Sequence, residues 1–308
     1  MSVDKVRANR CVSGALLAVF CVFGFVLILQ VAAMIFGPFK SACTKQVCLA
    51  KFLEGPPAFN NEVMASYLKK NYFLPPATSQ YNLSGHDGAT DTFNALVLFI
   101  KEYFKNKRGG VFVDVGAGDG EYRSITLQLE KSLGWTGLLV EPNERLYKKL
   151  LKKGRKAQLT KTCVSPYTYP AMMTLSHPRV EEGASHEVET LGKGKIEQFW
   201  TKDENAEHEK FEAQCVPFEN LVYAAGITTT IDLLVLDMSS TDLEVLINTK
   251  LDSLPELEML VIYANGVNIG SEIGGYFMEM NMVVKRVFGQ TSATAAYVLV
   301  KFDGKRDL

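Results

Sequence analysis

Residues 110–142 constrain the fold of this chain most. GVFVDVG (110–116) is a short apolar, β-branched run, GAGDG is a glycine turn, EYRSITLQLEKSLG (121–134) has apolar residues at helical spacing, and GLLVEP (137–142) is a second apolar run. Strand, turn, helix and strand in that order form a βαβ unit with its two strands parallel. The pattern continues with a helix over 144–153 and a third strand over 156–164. After a polar, Glu/Lys-rich insertion over 165–212 it resumes with IDLLVLDM (231–238), a helix over 242–248, LEMLVIYA (257–264), a helix near 271–280, and two closing runs, MVVKRVF and AAYVLVKF. Upstream, Asn60 and Asn61 cap a helix beginning at EVMASYLKKNY that stops before Pro75-Pro76. Residues 91–105 form another helix, with Phe93, Leu96, Val97, Ile100 and Phe104 on one stripe. Apolar strands alternating with amphipathic helices call for an α/β domain with a doubly wound parallel sheet and helices on both faces, here spanning 59–308.

In such sheets ligands lie beyond the carboxyl ends of the strands. Asp114, Gly116, Gly118, Asp119 and Gly120 occupy that place after the first strand, just ahead of a helix N-terminus. Glycines there let the backbone turn tightly and present free amide groups to a ligand. Glu141 ends the second strand, where a carboxylate can accept hydrogen bonds from both hydroxyls of a ribose. The structural alternative is a tight turn beside a solvated glutamate.

The dinucleotide fingerprint is Gly-x-Gly-x-x-Gly, whereas this turn is Asp-x-Gly-x-Gly-x-Gly. That spacing resembles the first motif of Rossmann-like class I S-adenosylmethionine-dependent methyltransferases, and the closing strands resemble that family's final hairpin. VFVDVGAGDGEYRSITLQLEKSLGWTGLLVEPN, with RKAQLTKTCVSP, CVPFENL and IDLLVLDMSSTDLEVL, resembles the FkbM-type methyltransferase domain. YLKKNYFLPPATSQYNLS ahead of it resembles the arthropod Star proteins, which carry such a domain on a single-pass type II anchor. The resemblance implies that Asp114, Gly116, Gly118 and Gly120 cradle the methionine and ribose of S-adenosylmethionine. It further implies that Glu141 holds the ribose hydroxyls and that Cys163 to Ser165 lie near the adenine. Asp237 would stand near the transferring methyl, as a weak general base or as a cap on the next helix. FkbM-type domains continue from that position with Asp-x-Glu-Gly-x-Glu; this chain has Asp237-Met-Ser239-Ser240-Thr241-Asp242, and the missing Glu-Gly pair bears on catalysis more than on fold.

The chain's mean hydropathy of +0.03 is high for 22% charged residues, and the excess is concentrated at the front. From Cys11 to Phe39 there are 29 residues without a charge, against roughly 20 needed to cross a bilayer. The run is apolar on every side and too long for the apolar region of a cleavable signal peptide. We expect a transmembrane signal-anchor over 11–39. The basic arm 1–10, with Lys5, Arg7 and Arg10, is then cytoplasmic, and a stalk over 40–58 leads to a lumenal or extracellular body. Asn82-Leu83-Ser84 is a glycosylation acceptor pattern. The body's four cysteines, Cys43, Cys48, Cys163 and Cys215, allow three disulfide connectivities. We favour Cys43 with Cys48 and Cys163 with Cys215 over four reduced thiols. Nothing has the ligand spacing of a zinc site, and His86, His177, His186 and His208 lie in polar, loop-like sequence and are expected at the surface. With 33 Lys+Arg against 34 Asp+Glu, the net charge of −1 excludes a phosphate-neutralising nucleic-acid binder.

Two functions are compatible with these residues. One is a membrane-anchored enzyme of the secretory pathway that methylates oxygen or nitrogen of an acceptor. The other, implied by the resemblance to Star, is a non-catalytic factor escorting transmembrane growth-factor precursors from endoplasmic reticulum to Golgi, with endosome or plasma membrane as further stations.

Overall fold

The computed structural model describes residues 60–200, 207–239, 242–249, 253–265, 274–289 and 294–302. The cytoplasmic arm, the anchor over 11–39, the stalk, Cys43 and Cys48 lie outside the described residues. Within them no helix is long and apolar enough to cross a membrane.

The chain enters through α1 (Glu62–Asn71), whose first turn is capped by Asn61 accepting from the Met64 amide. The helix ends at Tyr72, before the prolines, because Phe73–Leu74 (β1) pairs with the edge of the main sheet. Next come α2 (Asp91–Tyr103), β2 (Val111–Val115), α3 (Ile125–Leu133), β3 (Thr136–Val140), α4 (Glu144–Leu151) and β4 (Gln158–Thr160). After an insertion the chain continues as α6 (Phe218–Ala225), β9 (Thr230–Leu236), α7 (Asp242–Asn248), β10 (Glu256–Asn265), α8 (Gly274–Glu279), β11 (Met282–Phe288) and β12 (Thr294–Lys301). The insertion itself contains β5 (Cys163–Val164), β6 (Ala171–Pro178), α5 (Glu187–Leu191), β7 (Lys195–Ile196) and β8 (His208–Val216).

The main sheet has eight strands in the order β1-β4-β3-β2-β9-β10-β12-β11. β4, β3, β2, β9 and β10 are mutually parallel, and β12 enters antiparallel between β10 and β11. This is a doubly wound, Rossmann-like sheet whose strand order reverses between β2 and β9, with an antiparallel hairpin at the far edge. Each face has its own core. Leu68 of α1, Leu221 of α6, Val245 of α7 and Phe277 of α8 pack with Val113, Leu138 and Leu234 on one side. Leu96 and Ile100 of α2, Leu129 of α3 and Leu150 of α4 pack with Phe112, Leu139 and Leu233 on the other. Alternate residues of β2 thus serve opposite faces, as a two-residue period requires.

The insertion, expected as one polar stretch, is a second sheet in the order β5-β8-β6-β7. The third strand expected over 156–164 divides accordingly: β4 stays in the main sheet, while β5 pairs with β8 and joins the second. Met173, Leu175, Ile196, Ala213 and Cys215 form this sheet's inner face. His177 lies on that face as well, 4% exposed and bonded through Nδ1 to the Pro178 carbonyl, not at the surface. Its neighbours in sequence are polar, but strand alternation turns it inward, with its ring 5.9 Å from that of Phe211. The Sγ atoms of Cys163 and Cys215, register partners 4.3 Å apart at Cα, are bonded and tie β5 to β8 within the second sheet, at the two ends of the insertion.

Candidate functional site

A cleft opens over the carboxyl ends of β2, β3 and β9, at the point where the strand order reverses. Its floor is Val115, Gly116, Val140, Glu141, Asn143, Val164 and Asp237. The turn after β2 is built for close approach. Gly116 has φ +83°, and a Cβ there would lie 2.0 Å from the carbonyl oxygen of Asp237, so only glycine lets β2 and β9 come together at their ends. Gly118, at φ +59°, points its missing side chain into open space and donates its amide to Glu141 Oε2 at 2.8 Å. Gly120 faces the protein interior, against Leu150 and Arg155.

Glu141 accepts a second amide, from Asn143, on Oε1 at 2.8 Å. Asn143 in turn caps α4, accepting from the Arg145 and Leu146 amides. Each Glu141 oxygen keeps a lone pair for a further donor. Burial pushes the Glu141 carboxyl up to about 8; its two amide partners oppose the rise, and Asp237 and Asp114 add to it. Asp237 is likewise pushed up to about 8, by burial first and then by the Asp242 and Asp114 carboxylates. Asp114 is raised mainly by burial, against a 2.5 Å hydrogen bond from Thr126 Oγ1. Among the described residues none of the three carboxylates makes an ion pair. Tyr263 of β10 stands beside Asp237 in register, its buried hydroxyl without a partner and its pKa raised by burial and by Asp237 and Asp114.

Gly116, Glu141 and Asp237 therefore line the cleft, with Gly118 at its rim and Asp114 beneath the turn. Asp119 turns away: its Oδ1 accepts the amides of Glu121 and Tyr122, and its Oδ2 lies 3.4 Å from Lys153 Nζ. Ser165 is also turned aside, donating to the Tyr169 carbonyl and accepting from the Tyr167 amide, while Cys163 and Val164 reach the cleft. Asn82 is exposed, on a segment that wraps the glycine turn; its amide donates to the Lys153 carbonyl. Two residues on, the Ser84 hydroxyl and amide both donate to Glu121 Oε2 at 2.8 Å. Burial would raise the Glu121 carboxyl, but Lys153 at 2.5 Å and the Ser84 and Gly85 donors outweigh it and hold it at about 2.

Two groups of residues had no sequence reading. Arg155, buried beneath the turn, donates to the Gly120 carbonyl at 2.7 Å and lies in a run of lysines that resembles a solvated face. The cleft's roof comes from the insertion: Leu175, Leu191, Gly192, Gly194, Lys195, Ile196 and Phe211. Among the described residues no group of three His, Cys, Asp or Glu could hold a metal ion. Ser240 and Thr241 lie outside the described residues, but Asp242 is placed: its Oδ1 accepts the Met238 amide at 3.0 Å, closing the turn after β9.

The raised carboxyl pKa values have a consequence for stability. A carboxyl whose folded pKa is raised stabilises the fold fully below its unfolded pKa, and that contribution is lost as pH rises through the folded value. For Asp237 the window runs from its ordinary 3.8 to about 8. We expect the melting temperature to fall between pH 5 and 9 and Asp237→Asn to flatten that fall; thermal melts across the range check it, and parallel curves for the two proteins would remove Asp237 as the cause.

The Rossmann-like sheet thus carries a glycine turn after β2 and an acidic residue at the end of β3, beyond the carboxyl ends of its strands, where sheets of this class hold their ligands. No protein-family profile matches the chain, and no curated protein is significantly similar to it. Solved structures are similar at low identity. A putative RNA methyltransferase, PH1948 of Pyrococcus horikoshii, is 12% identical with a TM-score of 0.35, covering 84% of this chain and 98% of that one. Aeropyrum pernix fibrillarin with natively bound S-adenosyl-L-methionine is 10% identical, TM-score 0.38, covering 68% and 76%. The METTL16 methyltransferase domain is 9% identical, TM-score 0.40, covering 81% of each chain. At these scores the fold assignment rests on strand order and turn geometry.

Proposed function

We propose that the cleft binds S-adenosylmethionine and that the body is an FkbM-type methyltransferase, transferring the methyl to oxygen or nitrogen of an acceptor. The observation that carries the reading is the cluster of Asp114, Glu141 and Asp237 at the strand ends. Asp114 and Glu141 are buried and Asp237 opens to the cleft; none has an ion-pair partner among the described residues, and their raised pKa values express desolvation first, with neighbouring carboxylates adding to it at Glu141 and Asp237. A ligand carrying a sulfonium and an ammonium would supply the missing positive charge, and Glu141 would accept hydrogen bonds from its hydroxyls; the amides of Gly116, Ala117, Gly118 and Gly120, expected to be free for a ligand, are bonded within the protein. Methyl transfer from a sulfonium centre can proceed chiefly by positioning. Asp237, its carboxyl raised to about 8, would take the acceptor's proton, and bound S-adenosylmethionine would supply the methyl group, leaving as S-adenosylhomocysteine.

The Cys163–Cys215 bond supports an oxidising compartment. With the uncharged run over 11–39, it favours a single-pass type II protein of the secretory pathway whose body is lumenal or extracellular. The narrow, roofed cleft and the absent Glu-Gly pair after Asp237 favour a second reading, a Star-like escort for transmembrane cargo. Cargo co-purification unaffected by Gly118 and Glu141 substitutions would select it.

Calorimetry on the full chain in detergent tests the first reading. S-adenosylmethionine should bind with release of protons, since a cationic ligand favours the charged carboxylates. Affinity should therefore rise with pH up to about 8, where Glu141 and Asp237 titrate. S-adenosylhomocysteine, with a neutral sulfur, should show a weaker pH dependence. Gly118→Arg, at φ +59° on the cleft rim, should abolish binding. No heat of binding at millimolar cofactor would sink the proposal.

A further inference from the structure

The cleft is covered by a strap formed by α5 and the turn that follows it, residues 187–196, and the strap is fastened to three separate elements of the main domain. Glu187, 2% exposed, is gripped by Arg145 of α4 at 2.7 Å and by Lys149 at 3.0 Å. Glu189 accepts from the hydroxyl of Tyr122, next to the glycine turn, at 3.3 Å. The Gly192 carbonyl accepts from Ser239 Oγ at 3.1 Å, just past the end of β9. Ser239 holds a left-handed backbone, φ +52°, without being glycine, so the turn that delivers its hydroxyl is strained.

Between these fastenings Leu191 is inserted, 2% exposed, against Leu146 and Val180, and it lines the cleft along with Gly192 and Gly194. The cavity left beneath the strap is about 60 Å³. A water needs roughly 10–15 Å³ of such space, so this is room for a handful. A nucleoside with a methionine tail does not fit there while Leu191 and the Gly192–Gly194 turn stay down.

We propose that the strap is an autoinhibitory contact: the observed state is closed, and the cofactor binds only after 187–196 lifts away. This rests on the cofactor reading of the cleft but adds a gate to it. Apparent affinity is the intrinsic affinity scaled by the fraction of molecules already open. Loosening the strap therefore tightens binding, the reverse of what loss of a binding residue does. Glu187 is the strongest fastening, because its charge is buried and met by two cations. Ser239 is the mildest to remove, since its loss leaves the Gly192 carbonyl on an exposed residue free to meet water.

The test uses the full chain in detergent, as wild type, Glu187→Gln and Ser239→Ala, with S-adenosylmethionine as the probe in calorimetry. Amide exchange of 187–196 is measured separately without ligand. A gate predicts faster exchange in both variants and tighter binding, about fivefold for Ser239→Ala and more for Glu187→Gln. Should Glu187→Gln disturb the second sheet, Ser239→Ala still decides. Unchanged exchange with equal or weaker binding in Ser239→Ala overturns the gate. If no protein binds cofactor while exchange accelerates in the variants, the strap stands as a releasable contact and the cofactor reading falls.

Discussion

Replacing Arg155 by methionine should cost the fold roughly 3–5 kcal/mol, because it strips the partner from a buried charge. The guanidinium and the Glu130 carboxylate are 0% and 1% exposed, 3.1 Å apart. Arg155 also donates to the Gly120 carbonyl at 2.7 Å and to Thr126 Oγ1 at 3.1 Å, and Thr126 donates onward to Asp114. One side chain thus links the underside of the glycine turn, the first turn of α3 and the acid at the end of β2. Against a typical total of about 5–15 kcal/mol, such a loss is a large fraction. Urea unfolding should show the midpoint falling with little change of slope. The double substitution Arg155→Met with Glu130→Leu should recover part of the loss, since it leaves no uncompensated charge and can be near neutral. Because Lys156 donates its amide to Glu130 Oε1 at 2.6 Å, recovery should be incomplete. If the single substitution costs less than about 1 kcal/mol, the level of an exposed pair, the ion pair is not what holds the turn.

That arrangement marks where the sequence stops being legible. The turn itself could be read: Gly116 to Gly120 between a β-branched run and an amphipathic helix leaves few alternatives, and Glu141 followed from strand length. Its support could not. Arg155 stands in KKGRK, whose composition suggests solvent, and only the packing of α3 against the end of α4 brings Glu130 to it. The second sheet was missed for a different reason, since the signal was there. In β8, Phe211, Ala213 and Cys215 point inward while Lys210, Glu212 and Gln214 face the other way, a two-residue period obscured by a high content of Glu and Lys. In β6, Met173 and Leu175 alternate with Thr174 and Ser176 between Pro170 and Pro178, which suggested a loop. That this sheet then folds over the cleft is a non-local fact with no periodicity to announce it.

Removing the Cys163–Cys215 bond is the second large effect expected. The bond closes a loop with a sequence separation of 52, for which chain entropy gives a stabilisation of about 4 kcal/mol. Alanine at both positions is the appropriate replacement, because Cys163 and Cys215 are 5% and 0% exposed and a serine hydroxyl there would lack partners. The loss should not be spread evenly. β5 and β8 share only two register pairs, Cys163 with Cys215 and Val164 with Val216, so the disulfide carries much of that junction. Without it, amides of β6, β7 and β8 should exchange well before those of β2, β3 and β9, whereas in the intact protein the two sheets should open together. Cys163 also lines the cleft, so the roof should loosen and cofactor binding should respond even where the main sheet remains folded. Uniform acceleration of exchange across both sheets would show that the bond stabilises the whole domain without serving as the hinge between core and roof.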